Sequence, residues 1–408
     1  MATHPFPQWV SPTISEFYAE KCGISTLFDW QNEVLNEHNG GNLVFSAPTS
    51  AGKSLVAELL AWRVAKNGRK VLFVLPYISV AREKLHVLQK CWRRDDIAVA
   101  GFIGPHASNP NEWMAAVCTI EKAASLINRA LSEDWFTEIG MIVVDELHMI
   151  FDGSRGTHID HMLSKILFWN QTQQSSQQQI QIIGMSATIP QIEKIGDWLN
   201  AKIYRAQFRP VELVENIIIG RKMRRIRGGV IEPEILRDFD DAIIDLAVES
   251  FRNETQTLIM CSSKIEVENV ACQIAQKFSE LKKSLPEVIK NRLEGLFFTR
   301  NGLERNGCKD RNLIGVLGLT IAFHHAGLTL EERECVEQGF RDGHILILVA
   351  TSTLASGVNL PAERVIIKSQ TRGPSALNSM TYRQMIGRAG RMGHAKKGIF
   401  SLRGIWEG

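Results

Sequence analysis

Lys53, Ser54, Asp145 and Glu146 are the residue types that together cut a phosphoanhydride. The stretch Ala47-Pro48-Thr49-Ser50-Ala51-Gly52-Lys53-Ser54 follows the form G-x-x-x-x-G-K-[ST], with Ala47 in place of the first glycine. A loop of that form turns successive backbone N–H groups toward a phosphate at a helix N-terminus. Lys53 would reach the β and γ phosphates of ATP, and the Ser54 hydroxyl would ligate Mg²⁺. Asp145-Glu146-Leu147-His148 closes the apolar run Met141-Ile142-Val143-Val144. Asp145 would hold Mg²⁺ through water, and Glu146 would orient and deprotonate the attacking water. Adjacent carboxylates after a strand mean little alone. With Lys53 and Ser54 they read as hydrolysis of a nucleoside triphosphate.

Three later stretches extend this chemistry. Ser186 and Thr188 carry hydroxyls just after another apolar run, suited to linking the metal carboxylates to a second domain by hydrogen bonds. Gln384-Met385-Ile386-Gly387-Arg388-Ala389-Gly390-Arg391 places two guanidinium groups three residues apart, one face if the segment is helical. Correctly placed arginines neutralise charge on a transferring phosphoryl group. Thr351-Ser352-Thr353, with Gly357 after it, offers hydroxyls and backbone N–H groups for phosphate contacts.

These residues need strands to carry them and helices to hold the strands. Leu43-Val44-Phe45 leads into the phosphate loop, and a helical stripe of Leu55, Leu59 and Trp62 follows it. Apolar runs at 71–75, 97–103, 115–119, 139–144 and 180–185 alternate with helical patterns such as 120–131. That order predicts an α/β fold, a mostly parallel sheet covered by helices on both faces. The polar tract 171–179, QTQQSSQQQ, reads as a surface loop. A basic stretch at 220–229 reads as a solvated connector to a second alternating region. Its strands are expected at 258–260, 321–323, 345–350 and 365–367, its helices at 264–279 and 330–340, and an irregular charged insertion at 281–318.

The 408 residues allow two or three domains, and 44% hydrophobic with 22% charged residues is the composition of a globular protein. A net charge of +3 neither requires nor excludes a nucleic-acid partner, since a local basic stripe decides that. No apolar run approaches the roughly 18 residues of a spanning helix, so no membrane partner is expected. The seven cysteines contain no C-x-x-C pair and read as reduced thiols rather than a zinc site. His324 and His325 read as structural.

The motifs APTSAGKS, DELH, SAT, TSTLASGVNLP and QMIGRAGR, in this order, resemble those of superfamily 2 helicases of the Ski-type branch. More narrowly, LFDWQ, LPYISVAREK, CTIEKAASLINR, VVDELHMI, IGMSATIP, QFRPVEL and FHHAGLTLEER are similar to the helicase Q (helicase POLQ-like) group and to the helicase domain of DNA polymerase theta. GSRG after DELHMIFD, together with QFRPVELVE, tilts the resemblance toward helicase Q. It covers about residues 27 to 393 and implies two tandem RecA-like domains with ATP bound between them. The expected division is an N-terminal extension, 1–23; a first domain, 24–208; a connector, 209–235; and a second domain, 236–408, truncated and lacking the family's winged-helix and ratchet domains. By the same resemblance Gln31 would read adenine, with Trp30 beside it flanking the base, and Gly357 would lie near the ribose and phosphates. His148, Ser186 and Thr188 would couple ATP state to domain closure, and Gln384, Arg388 and Arg391 would act from the second domain. Pro76, Arg82, Thr119, Thr351, Ser352 and Thr353 would contact the nucleic-acid backbone, and 368–382 would carry a strand-separating hairpin.

The implied activity is a 3′-to-5′ DNA helicase stimulated by single-stranded or forked DNA, acting in nuclear repair of stalled or broken forks. Two rivals stand beside it. RNA would suit the same engine, because phosphate contacts discriminate little between sugars. A truncated, ATP-switched binding module without unwinding is the other, since the ratchet that encloses the strand is not in this sequence.

Overall fold

The apolar runs of the first half are strands covered on both faces in the computed structural model of the chain. It describes residues 3–48, 51–104, 106–107, 113–173, 179–187, 189, 191–206, 212–228, 230–280, 292–351, 360, 362–368, 382, 385–390 and 397–404. The chain divides into two units, Met1–Arg209 and Pro210–Gly408.

In the first unit, α1 (Pro12–Cys22) and α2 (Asp29–Glu37) precede β1 (Asn42–Ser46), α3 (Lys53–Lys66), β2 (Lys70–Leu75) and α4 (Ile78–Trp92). Then come β3 (Val99–Ile103), β4 (Ala115–Thr119), α5 (Ile120–Ser132), β5 (Ile139–Asp145) and α6 (Arg155–Thr172), followed by β6 (Gln181–Ser186), α7 (Ile192–Leu199) and β7 (Ala201–Arg205). The strands order as β7-β1-β6-β5-β2-β4-β3, every neighbour parallel. Successive side chains of a strand point to opposite faces. Val71, Phe73 and Leu75 therefore join the core beneath α1 to α4, while Leu72 and Val74 join the one beneath α5 to α7.

The segment expected as an N-terminal extension packs into this unit. Ser11 caps α1 by accepting from the Ile14 N–H, Pro12 fills its first turn, and Gly23 ends it at φ +66°. Ile14, Phe17 and Tyr18 are buried in the first core. Trp30 is also core, its ring tilted against those of Phe45 and Tyr204 with centroids 6.2 Å from each, and it is 5% exposed. That burial corrects the expectation that it flanks the adenine.

The second unit contains β8 (Glu212–Ile219), β9 (Lys222–Arg227), α8 (Ala242–Arg252), β10 (Thr257–Cys261), α9 (Lys264–Glu280), α10 (Leu293–Arg305) and α11 (Arg311–Leu317). It continues with β11 (Ile321–His324), α12 (Leu330–Arg341), β12 (Ile347–Thr351), β13 (Arg364–Lys368) and β14 (Lys397–Gly404). Its sheet runs β9-β8-β14-β13-β10-β12-β11, parallel except at β9, which pairs antiparallel with β8 and with the short segments Val230–Ile231 and Arg237–Asp238. The basic stretch expected as a solvated connector is thus an edge hairpin of this sheet. Four of the six residues of β9 are basic, so its composition reads as a solvated segment although it pairs with β8. Likewise 399–407 departs from the helicase pattern in sequence, yet its first part lies in β14, paired on both sides by β8 and β13. The charged insertion at 281–318 supplies α10 and α11, and 281–291 lies outside the described residues.

His324 and His325 face carboxylates, at 2.9 Å from Glu337 and 3.1 Å from Glu268. Among the described residues no group of three or more metal-binding side chains converges, and Cys91, Cys118 and Cys261 are buried.

Candidate active site

Five neighbouring strands of the first unit end along one edge of the sheet, and each delivers a motif there. β1 enters the loop before α3, and its last residue, Ser46, lies beside Ser186 at the end of β6. Asp145 ends β5 opposite Met185, while β4 ends at Thr119 opposite Leu75, the residue before Pro76. Ligands of open parallel sheets bind outside this carboxyl edge. At about 4.8 Å per strand, the row from β1 to β4 spans about 19 Å. That accommodates a nucleotide at one end and a polynucleotide backbone at the other.

The phosphate loop is held from beneath by Gln31. Its side-chain amide donates to the Gly52 carbonyl at 3.1 Å, and its Oε1 accepts from the Phe28 N–H at 2.9 Å. Gln31 is 2% exposed, so the residue expected to read adenine also braces the loop. Gly52 sits at φ +83°, and a Cβ there would lie 2.3 Å from Gln31 Nε2. Lys53 donates to the carbonyls of Ala47 and Pro48 at 2.7 and 3.1 Å, curling over the cradle it would share with a phosphate. Gly52→Ala is expected to cost about 1–3 kcal/mol in backbone strain and to abolish binding of a fluorescent ATP analogue. Parent affinity in the variant would mean that Gln31 moves aside and does not brace the loop.

Asp145 and Glu146 crowd each other. Burial and the Glu146 carboxylate push the Asp145 carboxyl up to about 6, against the pull of the Lys84 and Lys53 ammoniums and the Glu146 N–H. That N–H donates to Asp145 Oδ1 at 2.9 Å, and Glu146 occupies the left-handed region at φ +51°. Ser54 and Asp145 line one crevice. A hydroxyl and a carboxylate oxygen are hard donors of the kind Mg²⁺ takes, so this pair fits the ion. His148 Nδ1 shares a hydrogen bond with Ser186 Oγ at 2.8 Å and lies 3.2 Å from Glu146 Oε2. The imidazole and Ser186 are both buried. The DELH and SAT motifs are therefore in direct contact.

A network that the sequence reading missed lies behind this crevice. Glu58, one turn after Ser54 on α3, is 4% exposed. It accepts from the Tyr18 hydroxyl of α1 and from the Lys84 ammonium of α4. Burial would lower the proton affinity of Lys84, but Glu58 outweighs it and the ammonium is held more firmly than usual. Glu58 and Lys84 line the same crevice as Ser54 and Asp145. The i,i+4 spacing of Ser54 and Glu58 was the available signal.

Of the nucleic-acid candidates, Pro76 and Thr119 stand side by side at the sheet edge, Arg82 is exposed on α4, and Thr351 ends β12 beside Cys261 of β10 in the second unit. Arg388 is not on a continuing helix. Helical geometry stops at Ile386, the Ala362 N–H donates to the Arg388 carbonyl at 3.1 Å, and Gly390 turns the chain at φ +65°. The helix expected across this motif is therefore broken from Gly387 onward among the described residues. Thr49, Ser50, Thr188, Ser352, Thr353, Gly357, Gln384 and Arg391 lie outside the described residues, as do 369–381 of the expected hairpin.

Known proteins are similar to this chain along nearly its whole length. Residues 28–195 match the DEAD/DEAH box helicase family, and residues 276–393 match the helicase conserved C-terminal domain. DNA polymerase theta of Caenorhabditis elegans is 63% identical over 96% of this chain and 24% of its own length. The helicase POLQ-like protein of the same organism is 37% identical, over 94% of this chain and 42% of its own. ATP-dependent DNA helicase Hel308 of Caldivirga maquilingensis is 33% identical, over 93% of this chain and 50% of its own. Within the one organism, similarity to polymerase theta exceeds that to the POLQ-like helicase, against the tilt drawn from GSRG. The chain spans between about a quarter and a half of the length of these relatives.

Proposed function

Because this chain belongs to the DEAD/DEAH box helicases with a conserved C-terminal helicase domain and is a helicase domain of the POLQ-like type, we propose that it hydrolyses ATP to move 3′-to-5′ along single-stranded DNA. The observation that carries this reading is the sheet edge of the first unit. There the Ser46 loop, Ser186 and Asp145 adjoin Pro76 and Thr119 on consecutive strands.

The chain's own residues divide the work. Backbone N–H groups of the loop and Lys53 bind the phosphates, and Gln31 keeps the loop in shape. Ser54 and Asp145 would hold Mg²⁺, which when bound neutralises charge on the phosphates. Glu146 orients the attacking water and takes its proton; His148 passes the state of that carboxylate to Ser186. By the helicase resemblance Gln384, Arg388 and Arg391 would answer the developing charge, and Gly357 would lie near the ribose and phosphates. Pro76, Arg82, Thr119 and Thr351 to Thr353 carry the strand by its phosphates, which fixes its path without reading its sequence. Names such as DNA polymerase theta and ATP-dependent DNA helicase support DNA as the substrate; forked DNA in repair as the setting and the nucleus as the compartment follow from the helicase Q resemblance alone. Among the described residues no helix is long and apolar enough to cross a membrane.

The test is ATP hydrolysis by the purified chain with and without single-stranded DNA, or RNA of the same sequence. Streptavidin displacement from either end of a biotinylated strand is measured alongside. DNA is expected to stimulate hydrolysis above RNA, and displacement is expected from the 5′ end. Equal stimulation by RNA would transfer the reading to RNA remodelling. ATP binding without stimulation by either would leave an ATP-switched binding module.

A further inference from the structure

GSRG, which follows the DELH motif, has no role in the reading above, yet its arginine makes three contacts at the sheet edge. After Glu146 the chain makes a tight turn over Leu147–Phe151, with the Met149 N–H donating to the Glu146 carbonyl at 2.8 Å. Asp152 Oδ1 then accepts from the backbone N–H groups of Ser154 and Arg155, both at 3.2 Å, and starts α6. Gly156 is required by close packing, since a Cβ there would lie 2.2 Å from the Ile150 carbonyl oxygen. This turn fixes where the Arg155 side chain leaves the backbone.

The guanidinium reaches back across the edge. It donates from Nη1 to the Pro76 carbonyl at 3.1 Å, lies 5.2 Å over the Tyr77 ring, and has its Nε 3.2 Å from a Glu121 carboxylate oxygen. Pro76 and Tyr77 follow β2; Glu121 lies in the first turn of α5, two residues after Thr119. Because Leu75 and Thr119 are register partners, these are adjacent loops of one sheet. A planar fork that donates in two directions while stacking is a task for arginine that lysine cannot copy.

We propose that Arg155 is a positioning residue for the nucleic-acid backbone, joining the loops that carry Pro76 and Thr119 to the turn that follows the catalytic carboxylates. Displacement of Glu146 during the ATP cycle moves the base of α6, and Arg155 carries that displacement to the strand contacts. The inference rests on the placement of the nucleic-acid strand at Pro76 and Thr119 given above.

The test compares the parent chain with Arg155→Ala and Arg155→Lys. It reads the single-stranded DNA concentration at half-maximal ATPase stimulation, the KM for ATP, and the affinity for a labelled oligonucleotide by fluorescence anisotropy without ATP. Losing a charge-assisted hydrogen bond and its stacking partner is expected to raise the DNA concentration needed about tenfold. KM for ATP should stay near the parent value, and lysine should not rescue. Full rescue by lysine, or an unchanged DNA requirement in folded Arg155→Ala, would overturn the proposal. If Arg155→Ala does not fold, Tyr77→Leu and Glu121→Ala each remove one contact and are expected to shift the requirement in the same direction. No shift in either overturns it too. A parent chain that no nucleic acid stimulates would instead sink the underlying reading, so the two failures are separable.

Discussion

Glu146→Gln is expected to lower ATP turnover by roughly 10²–10⁴-fold while ATP still binds. The substitution keeps the shape of the side chain and an oxygen that accepts hydrogen bonds, and removes the carboxylate's charge and its affinity for a proton. The backbone supports so selective a change. Glu146 already occupies the left-handed region at φ +51°, and its N–H is committed to Asp145 Oδ1. Phosphate release in a single turnover, measured beside equilibrium binding of a fluorescent ATP analogue, separates the two effects. Turnover within a few-fold of the parent would remove Glu146 from the reaction. Loss of ATP binding would assign it to holding the nucleotide. Removal of a negative charge beside Asp145 also lifts a repulsion, so Mg²⁺-dependent nucleotide binding is expected to be no weaker in the variant.

The parts of this site that could be read from sequence are those whose signal is local. Strands buried on both faces appear as continuous apolar runs, which is why 115–119 and 71–75 are strands within one residue of their expected bounds. The loop of residues 47–54 and the DELH motif are contiguous, and the strand before each one settles which sheet edge they occupy. Elements stabilised by distant partners were not legible. β9 carries four basic residues in six, and β14 is rich in glycine and polar residues, so neither resembles a core strand until its neighbours are known. The Glu58–Lys84 pair joins two helices, and Arg155 reaches 79 residues back to Pro76. QMIGRAGR misled in the opposite direction. Its spacing suits a helix, but Gly390 at φ +65° and the pairing of Ala362 with Ala389 turn it out of one.

Glu58→Ala is expected to destabilise the first unit by about 3–5 kcal/mol, the usual consequence of leaving one partner of a buried ion pair uncompensated. The Lys84 side chain is 16% exposed and the Glu58 side chain 5%, so water cannot take over the lost contact. The Tyr18 hydroxyl loses its acceptor at the same time. The triple change Glu58→Leu, Lys84→Met and Tyr18→Phe removes both charges and the stranded hydroxyl together, and should recover most of the stability, because apolar replacement of a buried pair is often neutral or better. Trp406 alone of the nine tryptophans lies beyond Arg209, so urea unfolding followed by tryptophan fluorescence reports chiefly on the first unit. A small loss in Glu58→Ala would show that the pair is hydrated in solution. Failure of the triple variant to recover would show that the network contributes by shape rather than by charge. A third outcome separates folding from chemistry. Lys84 also stands in the field of Asp145, so a triple variant that is stable yet needs more Mg²⁺ for nucleotide binding would place the network behind the metal carboxylate as its electrostatic support. Full stability with an unchanged Mg²⁺ requirement would confine Glu58 and Lys84 to holding α1, α3 and α4 together.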